Sequence, residues 1–388
     1  MNTHFEAPCP DRSRAMVRWL LAYGTSAVPQ AASPIAFALL TIPLTGRAES
    51  GAGLVLTATL AQVIGAVPLV RLGRGLNAVS YLKVLIGIRA AALAAVAVLA
   101  EAGAPFQFLL AAAAAGGFTH GAAFGLLRSV LNDLVDPSRL PRALGLAATL
   151  SEFTFVAAPI AASVLGSSIG PALGLLLLVG LGTAPIILLP AIPRTTAPAL
   201  TIGGDTLIRP SIVLWLACTM ASGAVVSSVE IGAVSIAINY GLQPADGAIF
   251  AAGLCIASVS GGIWVSARNR VPSRSIVPAC LLLMSFGAAL TASNVGVTAT
   301  IVGAVTIGCF LAPLGAYYSL QLDALSRPNR KAEVFALSRT ANSLGVILTS
   351  ASLSLTSLKV TMSMSAALTF IVTVVVAIVL RAAGTSGT

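Results

Sequence analysis

"LNDLVDPSRLPRAL" occupies Leu131–Leu144, and "LQLDALSRPNRKAEV" occupies Leu320–Val334. Both spell Leu-x-x-Leu-x-x-Pro-x-Arg: Leu131, Leu134, Pro137 and Arg139 in the first, then Leu322, Leu325, Pro328 and Arg330, 191 positions on in a chain of 388. Four identities in a leucine-rich chain are a weak signal alone, so their surroundings decide. Each copy stands between two apolar runs. Proline has no N–H to give to a helical ladder and arginine stays at the aqueous face, so each copy reads as an elbow between two helices. One elbow written twice, about half a chain apart, predicts two related halves.

Composition says what those halves sit in. The chain is 57% hydrophobic and 9% charged, with a mean hydropathy of +0.96, against about 25% charged residues in a soluble domain. Runs such as "AALAAVAVLA" and "MSAALTFIVTVVVAIVL" lack strand alternation and approach the ~20 residues a helix needs to cross hydrocarbon. A bilayer leaves backbone groups no partner but their own helix, which predicts an all-α membrane protein. Apolar windows fall at 17–43, 51–70, 79–100, 105–131, 142–166 and 169–192, then at 211–238, 246–267, 275–295, 297–320, 332–356 and 359–381. That is about twelve spans. The expected organisation is a tail at 1–16, a six-helix half at 17–192, a linker at 193–210, a second half at 211–381 and a tail at 382–388.

The net charge of +10 is explained by its placement. With twelve spans, both termini and every even loop share one side. That side receives all 22 Lys+Arg except Arg47 and Lys359 on the opposite face and Arg89 and Arg339 within spans. The positive-inside rule makes the rich side cytoplasmic, and a miscount by one span would scramble the segregation. Nucleic acid is therefore not an expected partner; the lipid bilayer is. The five cysteines are scattered, without C-x-x-C spacing, so no disulfide framework or metal site is expected. Arg12, Arg14 and Arg18 lead into an apolar stretch too long for a signal peptide, and the first helix is expected to remain as an anchor. Arginine outnumbers lysine and alanine is abundant, pointing to a bacterial inner membrane.

Local motifs add a resemblance. The loop after the second span, "VRLGRG", is similar to G-x-x-x-D-R-x-G-R-R, with Arg71, Gly73 and Arg74 kept, Val70 where the acid stands and Gly75 where a second base is usual. "SARNRVPSR" after the eighth keeps only basic character, in Arg268, Arg270 and Arg274. "GFTHGAAFG" resembles R-x-x-Q-G with Gly117 for the arginine and His120 for the glutamine. "TFVAAPIAAS" resembles the antiporter stretch G-x-x-x-G-P-x-x-G-G, with Pro159 kept and Thr154, Ala158, Ala162 and Ser163 as small substitutes; ordinary small-residue packing explains it as well. "PNRKAEVFAL", with Glu333, looks like the start of an eleventh span. With twelve spans in a six-plus-six repeat, the chain resembles the major facilitator superfamily, in a bacterial branch with degenerate signatures. The resemblance implies alternating access between two halves around a midplane cavity lined by the first, fourth, seventh and tenth spans. It also implies that the missing acid of "VRLGRG" weakens a conformational latch.

Ionisable groups at the bilayer centre cost about 2.5–3.5 kcal/mol on insertion scales, so each is a functional candidate. Counting about ten residues at ~1.5 Å from Arg142 places Glu152 near the midplane, and His120 reaches similar depth. A carboxylate taken out of water favours its protonated form and a nearby cation its charged form, which suits Glu152, with His120, for a coupling proton; a static interhelical bond is the competing reading. Glu230 either meets substrate or reaches the outer interface. Arg339 and Asn342 share a helical face, and Gln30 lies between Pro29 and Pro34 on the first helix; all are cavity candidates. Arg89 is read as structural. Tyr317, with Tyr318 and Gln321, either closes the inner end of the tenth span or anchors at the interface. Arg128, Asp133, Arg139, Asp323 and Arg330 are candidates for a cytoplasmic gate, alongside Arg71, Gly73 and Arg74.

Enzyme constellations are absent. "GSSIG", Gly166–Gly170, fits G-x-S-x-G but falls in a loop between helices with no histidine to serve it. No lysine is followed by Ser or Thr, so there is no P-loop, and there is no H-E-x-x-H. No cofactor is expected. The reading is a monomeric secondary transporter of a small molecule, favouring proton-coupled efflux of an amphipathic compound. The alternatives are an importer of an organic acid, siderophore or other metabolite, with Arg339 or Arg89 holding an anion, and a non-transporting membrane protein that kept the fold.

Overall fold

The computed structural model describes residues 10–45, 49–189, 209–242 and 244–385. Residues 1–9 of the expected tail at 1–16 and 386–388 of that at 382–388, most of the linker, and Arg47 lie outside them. Among the described residues there is no strand. The first half holds α1 (Pro10–Thr45), α2 (Glu49–Leu72), α3 (Ala78–Glu101), α4 (Phe106–Leu134), α5 (Leu140–Ser168), α6 (Pro171–Gly182) and the one-turn α7 (Pro185–Leu188). The second holds α8 (Pro210–Glu230), α9 (Ala233–Asn239), α10 (Ala248–Arg268), α11 (Val277–Ala292), α12 (Val297–Leu325), α13 (Lys331–Leu355) and α14 (Leu358–Thr385). Among the described residues ten helical stretches are long and apolar enough to cross a bilayer, and α11 is a shorter apolar helix. The more polar α13, 25 residues long, carries Glu333, Arg339 and Asn342.

Two expected spans are interrupted. The window at 169–192 breaks at Thr183–Ala184, because Pro185 has no N–H for the Leu181 carbonyl, which takes the Ala184 amide at 3.1 Å in its place. The window at 211–238 breaks at Ile231–Gly232, where glycine weakens the helix. α1, in contrast, runs through Pro29, Pro34 and Pro43. Pro34 leaves the Gln30 carbonyl without its helical donor, and the Ser33 hydroxyl fills the gap at 2.8 Å.

The doubled elbow is reproduced residue for residue. α4 and α12 are each 29 residues long, each is followed by a three-residue 3-10 turn, Pro137–Arg139 or Pro328–Arg330, and then by α5 or α13. Both ends of α4 and α12, both turns, and the starts of α5 and α13 are offset by the same 191 positions. In both turns the arginine amide bonds the carbonyl three residues back at 2.9 Å. Leu131 and Leu322 are fully buried.

Inside a bilayer there is little hydrophobic drive between helices, so association rests on close backbone approach and polar contacts. α1 packs on α5, and α2 and α3 on α4; in the second half α10 and α11 pack on α12, and α8 on α13. Between halves, α5 packs on α10, and α13 on α2 and α4. The closest approach is at Gly125 of α4, where a Cβ would lie 2.4 Å from the Ala332 carbonyl oxygen and 2.8 Å from the Ala336 nitrogen. At the other seam a Cβ on Gly145 would lie 2.7 Å from the Gly262 carbonyl oxygen. Only glycine fits either point.

These seams lie toward the end that carries the two turns, hereafter the turn end. There the core of the first half, with Leu127, Leu131 and Leu144, takes in Val265, Ala316 and Ala336 of the second. At the opposite end the first half's core, with Phe37, Leu54, Val96 and Leu175, contains residues of that half alone. The halves are joined at the turn end and separately packed at the other.

Candidate transport cavity and gate

The joined end is tied by polar side chains. α2 carries Arg71 in its last turn, and Asn77 caps α3 by accepting from the Val79 and Ser80 amides at 3.1 Å. The tight turn between them points Arg71 and Arg74 at α13, where both bond Glu333: Arg71 Nε donates at 3.2 Å, and Arg74 Nη2 donates to the other carboxylate oxygen. Glu333 is 1% exposed, while Arg71 and Arg74 are 55% and 35% exposed. Burial, then the neighbouring Arg330 and Arg71 guanidiniums, pushes the pKa of Arg74 down. Gly73 is needed because a Cβ there would lie 2.3 Å from the Tyr81 ring, whose hydroxyl holds the Leu69 carbonyl at 2.8 Å. The acid missing at Val70 is thus supplied from the other half by Glu333.

A second cluster crosses between α4 and α12. Arg128 Nε donates to the Ser319 hydroxyl at 2.8 Å and its Nη1 to Asn132 at 2.9 Å, with the guanidinium 4.4 Å from the centre of the Phe335 ring. Asn132 donates to Asp323, which also pairs with Lys331 at 3.0 Å. At the α5–α10 seam, Asn269 accepts from the Arg142 amide at 2.9 Å and donates to the Ser138 carbonyl at 2.6 Å; its left-handed backbone, φ 48°, turns it toward α5. Asp133 and Arg139 are exposed and join none of these bonds.

Deeper, the cross-half bonds thin out. Gln62 of α2 donates to Ser343 of α13 at 2.8 Å, and Arg339 of α13 donates to Gln30 of α1 at 2.6 Å. Beside them is a cavity lined by Gln30, Arg89, His120, Phe124, Phe155 and Arg339, among others. Arg89, near the middle of α3, is buried and donates to the Ser26 carbonyl at 2.9 Å. His120 is buried with neither ring nitrogen bonded, and Arg339 Nε is likewise unbonded.

Helices of this order and apolarity, closed at one end around a mid-helix cavity, are matched by the sequence pattern of the Major Facilitator Superfamily over residues 19–350. The chain belongs to the major facilitator superfamily. Among solved structures, it superposes on a bacterial homologue of the iron transporter ferroportin in an outward-facing state, with TM-score 0.78, 15% identity, 96% of this chain and 99% of that one covered. It also superposes on the human organic anion transporter MFSD10 (TETRAN), with TM-score 0.76, 14% identity and 95% and 100% covered. The Escherichia coli fucose:proton symporter FucP gives TM-score 0.73, 13% identity and 93% and 98% covered. No curated protein sequence matches the chain. Superfamily membership and these neighbours make it a multi-pass membrane protein of a transporter family.

Against that superfamily frame, the sequence candidates separate. His120 and Glu152 are not bonded to each other. His120 lies near Arg89 and Arg339, whereas Glu152 on α5 faces the Ser258 hydroxyl of α10, which makes no hydrogen bond in this state. Glu230, exposed at the end of α8, lies near enough to feel the Glu152 charge. Arg89 lines the cavity, the position its anion-holding alternative requires, and α1 presents the Ser26 carbonyl to it. Asn342 packs against α8, 2.8 Å from where a Gly223 Cβ would sit. Tyr317 is buried, edge-on to Trp215 with ring centres 5.4 Å apart, and does not line this cavity. Thr154, Ala158 and Ala162 are buried on the face of α5 toward α1, with Pro159 in the helix interior. Among the described residues no His/Cys/Asp/Glu group is placed to hold a metal ion. Glu333, Asn132, Ser319 and Asn269 were missed as gate residues: all are ordinary loop-edge polar groups in sequence, and only the pairing of halves gives them partners.

Proposed function

We propose that the chain is a monomeric secondary transporter of the bacterial inner membrane that moves a small amphipathic solute outward by alternating access, driven by inward proton flow. In this reading it crosses the bilayer twelve times, with α6–α7 and α8–α9 each serving as one interrupted span, in two halves at 17–192 and 211–381. The turn end and both termini face the cytoplasm. The observation that carries the reading is a cavity at mid-helix depth, lined by α1, α3, α4 and α5 of the first half and by Arg339 of the second rather than by the expected seventh and tenth spans, beneath a seam closed at one end only. Rocking the halves about that cavity exposes it to each side in turn.

Glu152 is the proposed proton carrier. It stands mid-helix on α5, opposite the second half and within electrostatic reach of Glu230, so loading or releasing a proton changes the force between halves. Aromatic walls at Phe124 and Phe155 suit an amphipathic cargo. A second reading, proton-linked uptake of an organic acid, is favoured by Arg89 and Arg339 in the same cavity. A metabolite and drug screen in cells with and without the protein, repeated with a protonophore, separates them. Export predicts a solute whose accumulation falls with the protein and recovers with the protonophore; uptake predicts the reverse, and no affected solute would remove both. For that solute, Glu152→Gln in sealed vesicles is expected to abolish pH-gradient-driven flux while leaving exchange of the solute down its own gradient. Unchanged gradient-driven flux would sink Glu152 as the carrier.

A further inference from the structure

The cavity holds more positive charge than its walls neutralise. Arg89 and Arg339 both face it, and the ion pairs described involve Arg71, Arg74 and Lys331 instead. Arg89 has only a backbone carbonyl as partner and Arg339 only an amide oxygen and, 5.3 Å from its guanidinium carbon, the Phe124 ring. The two cations come from opposite halves and sense each other. His120 lies near both with two unbonded ring nitrogens, and the Arg339 Nε is unbonded too. Buried cations are normally paired, and buried donors normally bonded. Here the vacant donors converge on one space.

We propose that Arg89, Arg339 and His120 bind the acidic head group of an amphipathic organic anion, whose apolar body lies against Phe124 and Phe155. This rests on the transporter reading and names the class of its cargo. A carboxylate or phosphate ester takes the guanidinium forks through charge-assisted hydrogen bonds, and the imidazole N–H adds a neutral donor. The placement also links binding to movement. With the site empty, Arg89 of α3 and Arg339 of α13 repel across the cavity; an anion between them turns that repulsion into a bridge. Cargo thereby favours the state in which the halves are drawn together around it, which is the linkage alternating access requires.

Equilibrium binding to the purified full chain in detergent tests this without any gradient or flux, so its failure leaves the transporter reading standing. Loss of flux with binding intact would instead overturn transport alone. The probes are benzoate, phenyl phosphate, their neutral relative benzamide, and inorganic phosphate, each titrated at fixed ionic strength with thermal stability as readout. Benzoate or phenyl phosphate is expected to raise the Tm saturably, and benzamide is not. Inorganic phosphate matching phenyl phosphate would overturn the apolar subsite. Arg89→Gln and Arg339→Gln are each expected to weaken the anion about 10- to 100-fold, with Arg339→Lys losing less because it keeps the charge without the fork. The unliganded Tm of each variant reports folding, and Arg339→Lys serves where a glutamine variant does not fold. No response to either aromatic anion, an equal response to benzamide, or an anion response unchanged in these variants would refute the site.

Discussion

Gly125→Ala is expected to prop open the turn end without harming the fold. The added methyl would sit 2.4 Å from the Ala332 carbonyl oxygen and 2.8 Å from the Ala336 nitrogen. Both are backbone atoms of α13, which cannot swing aside as a side-chain tip does. Overpacking of this kind costs about 1–3 kcal/mol, and the cost falls on the joined state alone, because the two helices belong to different halves. The joined state should lose about 5- to 150-fold in population. Alanine is meanwhile a better helix former than glycine by about 1 kcal/mol, so α4 itself gains. The measurement is the distance distribution between spin labels attached through Ser138→Cys and Asn329→Cys, exposed in the two matching turns, on a background without native cysteines. A longer mean distance with an unchanged or raised Tm is expected. An unchanged distribution would show that the seam tolerates a methyl and that Gly125 does not set the closure.

Glu333→Gln should act in the same direction and less strongly. Breaking a buried ion pair costs about 3–5 kcal/mol when the orphaned charge stays buried. Here the orphaned charges are Arg71 and Arg74, 55% and 35% exposed, so water takes over much of the lost interaction. A discounted penalty of about 1–2 kcal/mol, or about 5- to 30-fold in the joined population, is expected. The joined population should fall with added salt in the parent protein and be independent of salt in Glu333→Gln. Combining it with Arg74→Gln should add little, since both remove one interaction. Full additivity of the two changes in the spin-label distances would mean that Glu333 and Arg74 act separately.

Most of the helical frame was legible in the chain. Apolar windows closed by arginine, proline or glycine fix span positions to within a few residues, because lipid permits no other backbone solution. The elbow repeat was legible to the residue, since proline and arginine confine both copies to the same turn. The breaks at Thr183–Ala184 and Ile231–Gly232 were not: a hydropathy window averages over a single disrupted turn. The gate was half legible. "VRLGRG" announced a basic turn, and Val70 seemed to disarm it, because a linear motif cannot show an acid arriving from 259 residues further along. The cavity was legible in its residue types more than in its groupings. Arg339 and Gln30 were candidates separately and prove to be bonded, whereas His120 and Glu152, paired by depth, face different neighbours. Depth along a helix is countable from sequence, but rotation about its axis is set by packing, and rotation decides who meets whom.

Glu333 lies 191 positions after Arg142, so the two occupy the same place in the duplicated elbow. One copy presents an acid to the basic turn of the opposite half; the other presents a base, and its seam is held instead by Asn269 on the Arg142 amide and the Ser138 carbonyl. The two copies therefore give the molecule unlike edges. The α2–α13 edge is a clasp, ionic and responsive to salt and to a single charge. The α5–α10 edge is held by backbone-directed amide bonds and close glycine packing, with no ion pair among those described. A single change of charge therefore reaches one edge of the joined end and leaves the other fastened.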